Sequence, residues 1–224
     1  MPTAPTRIAL IHALAHSIAP VNAEFERQWP QALRMNLLDD SLSADLARAP
    51  GGLDALMTAR FEALADYALR SGAHGILFTC SAFGPCIEAV ARRLAPLPVL
   101  KPNEAMIAAA LAHGGRIGLV ASFAPTLASM PDEFPPGTAL VSALATGALE
   151  ALDRGDVETH DERAADAAAA LVERGCEVIA LAQFSLARAQ ARVAARTGLP
   201  VLTTVDSAVR ELRRRVAAAG TAPG

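Results

Sequence analysis

A thiol and an amide occupy matching positions in two similar stretches of this chain. Residues 72–81 contain the thiol of Cys80, and they align with residues 175–184, which carry Gln183 at the equivalent position. A cysteine can donate a proton, and its thiolate can accept one or attack carbon. A glutamine amide neither gains nor loses a proton near neutral pH. The difference between Cys80 and Gln183 therefore decides which chemistry the sequence predicts.

Cys80 lies between an apolar segment typical of a strand and Pro85, which suits the first turn of a helix. Free backbone N–H groups and the helix dipole favour an anion there, and they predict a thiol pKa below the usual value of about 8.5. Together with the hydroxyls of Thr79 and Ser81, these N–H groups would form a cradle for a carboxylate. A small buried cysteine without chemistry fits the position equally well, because free cysteines are often buried.

Other candidate residues follow predicted strands. His12 and His16 come after the first strand and suit either proton transfer and carboxylate binding or a hydrogen-bonded scaffold role. Lys101 is the only lysine of the chain and also follows a strand, which makes it a candidate substrate contact. Cys86 is interpreted as a packing residue, with a resolving thiol as the alternative.

The elements that would position these residues recur along the chain. Arg7–Ile11 aligns with Arg116–Val120, and Leu97–Leu100 aligns with Leu199–Leu202. Short apolar runs alternate with alanine-rich helical stretches, which is typical of βαβ units around parallel sheets. Thr159-x-x-Glu162 predicts a capping box at the start of one helix. The predicted strands are 7–12, 34–37, 75–79, 98–100, 116–121, 138–143, 177–182 and 200–203.

This duplication predicts an α/β protein with two similar Rossmann-like lobes that contain parallel sheets. Residues 1–103 plus 206–224 would form the first lobe, and residues 104–205 the second. Ligands bind beyond the carboxyl ends of parallel strands. A pseudo-twofold relation between the lobes would therefore place the active site in the cleft between them, with Cys80 and Gln183 on opposite sides.

Composition argues against several other functions. The net charge of −3 and the 4% aromatic content give no support for a nucleic-acid partner. No run of 18 apolar residues predicts a membrane span, and no signal peptide precedes the first strand. Glycine-rich phosphate loops and clustered His/Cys ligands are missing from the sequence, so no nucleotide and no metal are expected. The odd number of cysteines, three, suits a reducing cytoplasm, and a homo-oligomer is left open.

The duplicated motifs resemble the aspartate/glutamate/hydantoin racemase superfamily, which includes maleate isomerase and arylmalonate decarboxylase. The resemblance covers nearly the whole chain. It implies cofactor-free chemistry in which two cysteines, one at a strand end in each half, flank the α-carbon of a small carboxylic acid or amino-acid-like substrate. It also implies an acid, base or nucleophile role for Cys80. Thr79, Ser81 and Ser185 would contact the substrate carboxylate.

Gln183 is the departure from this pattern, because it replaces the second cysteine. It can orient a substrate or donate a hydrogen bond to an enolate, but it cannot act as the second base. Unless His12, His16 or Cys86 takes that role, proton transfer is expected to be one-sided. The leading hypothesis is a racemase- or isomerase-type enzyme that uses Cys80. The alternatives are a one-thiol decarboxylase or lyase and a non-catalytic carboxylate-binding protein.

Overall fold

Apolar segments form eight strands in the computed structural model, which describes residues 5–220. The strands are β1 (Arg7–His12), β2 (Leu33–Leu38), β3 (Gly75–Phe78), β4 (Val99–Leu100), β5 (Ile117–Ala121), β6 (Leu140–Leu144), β7 (Val178–Leu181) and β8 (Val201–Thr203). Buried residues make up all of β3, β5 and β7, as expected for strands that helices cover on both faces.

Helices alternate with these strands. They are α1 (Ile18–Gln28), α2 (Ser41–Arg48), α3 (Ala55–Arg70), α4 (Gly84–Leu94), α5 (Glu104–His113), α6 (Ala124–Ser129), α7 (Ala148–Asp153), α8 (Val157–Glu173), α9 (Gln190–Thr197) and α10 (Thr204–Gly220). A short 3₁₀ turn, Ser81–Phe83, separates β3 from α4, and a longer one, Phe184–Ala189, separates β7 from α9.

The two sheets have the same strand order. One runs β2-β1-β3-β4 and the other β6-β5-β7-β8, and all observed pairs are parallel. In the first sheet Ile11 is paired with Phe78, and in the second Val120 is paired with Leu181. Cys80 and Gln183 each lie two residues beyond the last paired residue of the third strand, so they occupy equivalent positions in the two sheets. These observations confirm the α/β class and the two parallel sheets.

The chain divides into two compact units. Unit 1 contains the described residues up to Pro102 and from Ala208, and unit 2 is Asn103–Ser207. Unit 1 therefore needs two separate parts of the chain, whereas unit 2 is continuous.

Two strand glycines let a helix pack closely in each unit. A Cβ at Gly75 would lie 2.9 Å from Val216 and 3.2 Å from Leu212, both on α10. A Cβ at Gly118 would lie 3.0 Å from the Leu171 side chain of α8. Interiors packed at crystal-like density leave no room for an added methyl group. These contacts therefore fix α10 against β3 in unit 1 and α8 against β5 in unit 2.

The eight strands lie where the sequence pattern predicts them, but one helix cap differs. The capping box predicted at Thr159 and Glu162 is wrong, because α8 begins earlier and Asp156 is its N-cap. The Asp156 carboxylate accepts the Thr159 N–H at 3.1 Å. Glu162 instead pairs with Arg192 and Arg196. Asp156 caps the free N–H group of Thr159 in the first turn, whereas Glu162 lies beyond that turn, so its N–H group needs no cap from the Thr159 side chain.

Candidate active site

Cys80 lies at the carboxyl end of β3 in a narrow apolar recess of unit 1. Cys80 is 9% exposed, and its extended backbone leads directly into the turn at Ser81–Phe83. The recess is too small to hold a water molecule. Its lining consists of Cys80, Ile11, His12, Ala13, Leu42, Phe61 and Phe78. The thiol is therefore surrounded mainly by hydrocarbon.

Burial controls the charge state of Cys80. Burial raises its pKa to about 11, and hydrogen bonds with the Ala82 N–H and the Ser43 side chain act in the opposite direction. The lowered pKa expected from the sequence is therefore wrong. The N–H group at the start of the turn does favour a thiolate, but loss of water around the sulfur outweighs it. Cys80 is a protonated thiol at neutral pH.

Ser43 is a neighbour of Cys80 that sequence reasoning missed. Its hydroxyl donates to the Ala13 carbonyl at 3.0 Å, and it can rotate to donate to the Cys80 sulfur once that sulfur is a thiolate. Ser43 lies in α2, which follows β2. Because β2 is parallel to β1, its end lies at the same edge of the sheet. The strand-end rule that selected the other candidates would also have selected this segment.

An arginine on α3 holds the segment that carries Ser43. Arg60 contacts Asp39 at 2.7 Å and Asp45 at 2.6 Å, and it donates to the Ser41 hydroxyl at 2.5 Å. The guanidinium fork can bind several oxygens at once. It thereby holds α2 and the residues just before it against α3, next to the recess of Cys80.

His12 supports the residue that precedes Cys80. Its Nδ1 lies 2.9 Å from the Thr79 hydroxyl, and its Nε2 lies 3.0 Å from Asn36 Oδ1. Asn22 donates to the Ile18 carbonyl and to Asn36 Oδ1, which identifies the atom of Asn36 that faces His12 as an oxygen. Nε2 of His12 is therefore the donor. Burial lowers the pKa of His12, and the hydrogen bond to Asn36 acts against that change. The neutral ring thus accepts the proton of the Thr79 hydroxyl through Nδ1.

This arrangement limits what Thr79 can donate. Its hydroxyl proton is directed to His12, so a carboxylate can receive that hydrogen bond only if His12 takes up a proton and becomes the donor. Both ring nitrogens of His12 are occupied by side chains. His12 is therefore a support for Thr79, and it does not present a free base at the strand end.

The other residues of unit 1 that the sequence predicts for the site differ in their burial and in their hydrogen-bond partners. Ser81 is buried in the turn directly after Cys80, and His16 is half-buried in a turn before α1. Lys101 forms an ion pair with Glu88 at 2.6 Å. Cys86 is buried and lies 3.5 Å from the Thr58 hydroxyl of α3. Substrate contacts by Ser81, His16 and Lys101 stay predictions.

Gln183 at the end of β7 is held by its carbonyl oxygen. Oε1 accepts hydrogen bonds from the Ser122 N–H at 2.5 Å, the Ser122 hydroxyl at 3.2 Å and the Phe123 N–H at 3.2 Å. The donors follow β5, the strand next to β7. Gln183 is 8% exposed, so this anchored amide is largely buried. Ser122, which helps to orient this amide, was not singled out from the sequence, although it lies in a strand-end segment.

Other residues near this strand end are also buried. Ser185 is 3% exposed and follows Gln183 in the turn at Phe184–Ala189. Of the phenylalanines in the strand-end segments of the two units, Phe83 and Phe184 are fully buried core residues, whereas Phe123 is half-buried. Cys176 is buried before β7, at the opposite end of that strand. The contact of Ser185 with substrate stays a prediction.

Residues 5–220 show neither a cluster of three or more His, Cys, Asp or Glu side chains suited to a metal ion nor a helix that could span a membrane.

Comparisons with known proteins point to one family. The sequence profile described as Asp/Glu/Hydantoin racemase matches residues 21–212. A search among curated protein sequences finds no significant match.

Solved structures with a similar fold include three racemases. A glutamate racemase from Bacillus anthracis has a TM-score of 0.73 and 13% identity, covering 96% of this chain and 83% of that one. An allantoin racemase from Klebsiella pneumoniae has a TM-score of 0.69 and 20% identity, covering 96% and 89%. An aspartate racemase from Picrophilus torridus has a TM-score of 0.71 and 9% identity, covering 95% and 94%. At these identities the likeness establishes a shared fold.

Proposed function

Because this chain belongs to the Asp/Glu/Hydantoin racemase family, we propose that it is a cofactor-independent enzyme that transfers a proton at the carbon α to a carboxylate. Cys80 is the proton donor, and the substrate is a small carboxylic acid or an amino-acid-like molecule. The observation that carries this proposal is the position of Cys80, a protonated thiol directly beyond the carboxyl end of a buried parallel strand.

The charge state of Cys80 supports proton delivery over proton removal. With a pKa of about 11, only about one molecule in 10⁴ carries the thiolate at pH 7. A general base must be deprotonated before it acts, whereas a general acid must hold its proton. Cys80 meets the second condition in the free protein. After the transfer, the Ala82 N–H and the Ser43 side chain stabilise the thiolate.

A one-thiol decarboxylation is the reaction that these properties support best. In a malonate-type acid the bond from the α-carbon to one carboxylate breaks, and carbon dioxide leaves. The electron pair passes into the remaining carboxylate as an enediolate. The S–H bond of Cys80 then breaks, its proton forms a new bond to the α-carbon, and the thiolate regains a proton from water.

Racemisation is the second candidate, and family membership favours it. It needs another group that removes the α-proton from the opposite face. Gln183 does not titrate near neutral pH, both ring nitrogens of His12 are already bound, and the thiol of Cys86 is buried against the Thr58 hydroxyl. His16 therefore remains the candidate for a second proton carrier, and a carboxylate-binding protein without catalysis is the remaining alternative.

Deuterium incorporation tests the proposal. The protein is incubated in heavy water with aspartate, glutamate, allantoin, hydantoins, maleate and substituted malonates, and products are analysed by NMR and chiral chromatography. We expect deuterium on one face of one product. Cys80→Ala should lower the rate on the order of 10³-fold, because general acid catalysis contributes about 10²–10⁴-fold. Cys86→Ser is the matched control, since that thiol bonds Thr58 instead.

Three outcomes separate the candidate functions. Deuterium on both faces with a racemic product would replace the one-sided reaction by racemisation. Unchanged activity in Cys80→Ala would remove Cys80 from the mechanism. Substrate binding without any exchange or turnover across the panel would support the carboxylate-binding protein.

A further inference from the structure

The orientation of the Gln183 amide is fixed by its neighbours. Two of the three donors at Oε1 are the backbone N–H groups of Ser122 and Phe123, which can only donate. The atom that they meet must be the carbonyl oxygen. The other arm of the amide is then the NH₂ group, and rotation of the amide would place N–H against N–H.

The NH₂ group of Gln183 has no partner in the part of the chain that the structure describes. All hydrogen bonds of this side chain there involve Oε1. The nitrogen is also not one of the fully buried, unpaired side-chain atoms of residues 5–220, so it keeps some solvent contact. A donor that is held in one orientation, largely buried and still accessible is suited to a ligand oxygen.

The residue type strengthens this interpretation. If the side chain only had to accept three hydrogen bonds, a glutamate would do so more strongly, because hydrogen bonds to a charged acceptor are stronger. The amide keeps the acceptor and adds two N–H donors on its other arm. It also avoids a negative charge at the strand end, which would repel an anionic ligand.

We propose that Gln183 is a substrate-binding residue whose NH₂ group donates to an anionic oxygen of a small acid, either a carboxylate or an enolate-type oxygen. The neighbouring Ser185 hydroxyl is a second donor, because it has no hydrogen-bond partner among the described residues and follows the same strand end. Two donors beyond the same strand end would suit the two oxygens of a carboxylate. The proposal concerns binding alone and does not rest on thiol chemistry at Cys80.

NMR of the full-length protein tests the contact directly. The side-chain NH₂ signals of Gln183 are identified by their loss in Gln183→Met, and they are followed during titration with malonate, L-aspartate and phenylacetate. Malonamide, which has the same carbon skeleton as malonate without the charge, is the control ligand. We expect at least one carboxylate to shift these signals and malonamide to leave them unchanged. Signals that no carboxylate shifts would overturn the proposal.

Two variants with the same charge change test the energetic role. Gln183→Glu keeps an acceptor for Ser122 and Phe123 but replaces the NH₂ by an oxygen, and we expect at least a tenfold loss of affinity for the carboxylate that shifts the wild-type signals. Gln31→Glu, at an exposed position, should bind as the wild type does. Equal affinity in Gln183→Glu and wild type would refute the role of the amide, and Gln183→Met replaces the glutamate variant if that variant does not fold.

Binding and turnover separate this inference from the proposed function. Cys80→Ala should lose turnover and still bind the carboxylate with wild-type affinity. Wild-type turnover in Cys80→Ala would refute the function proposed for Cys80 and leave the Gln183 contact intact. Wild-type binding in Gln183→Glu would refute the Gln183 contact and leave the role of Cys80 intact.

Discussion

The carboxyl ends of β3 and β7 are equivalent places in two sheets of the same topology, and each is supported by the neighbouring strand. The Thr79 N–H donates to the Ile11 carbonyl at 3.0 Å, and the Ala182 N–H donates to the Val120 carbonyl at 2.9 Å. Beyond this shared bond the two ends differ. In unit 1, His12 at the end of β1 holds the side chain of Thr79, one residue before Cys80.

In unit 2 the hydrogen bonds from the neighbouring strand end hold Gln183 itself, the residue equivalent to Cys80. Ala182 has no polar side chain that could be held, and the residues after β5 bind Gln183 instead. The thiol of Cys80 thus keeps its proton in an apolar recess, whereas the amide of Gln183 is anchored as a donor. The comparison shows how one topology can bury a protonated thiol at one strand end and anchor an amide at the other.

Thiol reactivity should give the largest contrast between the two ends. In Cys80→Ala/Gln183→Cys the N–H groups of Ser122 and Phe123 lose the glutamine oxygen that they bind, and these free donors beyond the same sheet edge favour a thiolate at position 183. Cys80 in the wild type has a pKa of about 11. At pH 7 we therefore expect iodoacetamide to alkylate position 183 on the order of 100-fold faster than Cys80.

Mass spectrometry of digested protein at several pH values measures both rates, with the buried Cys86 and Cys176 as internal references. Equal alkylation rates at positions 80 and 183 would contradict the expected difference in thiol pKa between the two strand ends.

Removal of the histidine support should lower stability. His12→Phe leaves the Thr79 hydroxyl and Asn36 Oδ1 without the ring, and we expect the free energy of unfolding to fall by about 1–3 kcal/mol. The pKa of His12 is lower in the folded protein, so the unfolded chain binds a proton first as the pH falls. The stability that the neutral His12 ring contributes is therefore present above about pH 6.5 and is lost as the pH falls below that value.

Urea unfolding at pH 5 and pH 8 checks both effects. The exposed His113→Gln serves as the control, because it should keep the pH dependence that His12 causes. A His12→Phe variant with wild-type stability would show that Thr79 does not depend on the ring.

Loss of the Ser43 hydroxyl should raise the Cys80 pKa further. Ser43→Ala removes a hydrogen bond that favours the thiolate, and the expected rise is less than about one pKa unit. The pH dependence of Cys80 alkylation measures the change. Ser129→Ala is the matched control, since its hydroxyl also bonds a backbone carbonyl. A lowered Cys80 pKa in Ser43→Ala would contradict the proposed contact.

The smallest effect is expected at Ser122. Ser122→Ala removes the 3.2 Å hydroxyl contact but leaves both backbone N–H groups on Gln183. The free energy of unfolding should therefore fall by less than about 1 kcal/mol in urea titration. The Gln183 NH₂ signals should keep their response to carboxylates. A changed response would mean that the hydroxyl, and not the backbone, orients the amide.

The sequence predicts the fold because the fold depends on repeated local patterns. The apolar runs at 75–79 and 177–182 alternate with helical stretches in both halves, and the observed strands lie within a few residues of every predicted one. The positions of Cys80 and Gln183 beyond the third strand of each sheet follow from the same repeat. Such periodicity can be recognised in the sequence without knowledge of any side-chain contact.

The chemistry of the strand ends depends on contacts that no local pattern encodes. The sequence separation between His12 and Thr79 is 67 residues, and that between Ser122 and Gln183 is 61. The sign of the Cys80 pKa shift depends on how completely Leu42, Phe61 and Phe78 exclude water. Burial of that kind is a property of the assembled unit, which explains why the turn N–H groups alone gave the wrong direction.

The packing of α10 against Gly75 has a consequence for the order in which the chain folds during synthesis. Leu212 and Val216 cover β3, so the strand that leads to Cys80 stays partly uncovered until these residues leave the ribosome. Unit 2 is continuous and ends at Ser207. Since domains generally fold as units while the chain is made, the sheet that holds Gln183 can be completed before the sheet that holds Cys80. The sheet whose strands are synthesised first is thus completed last.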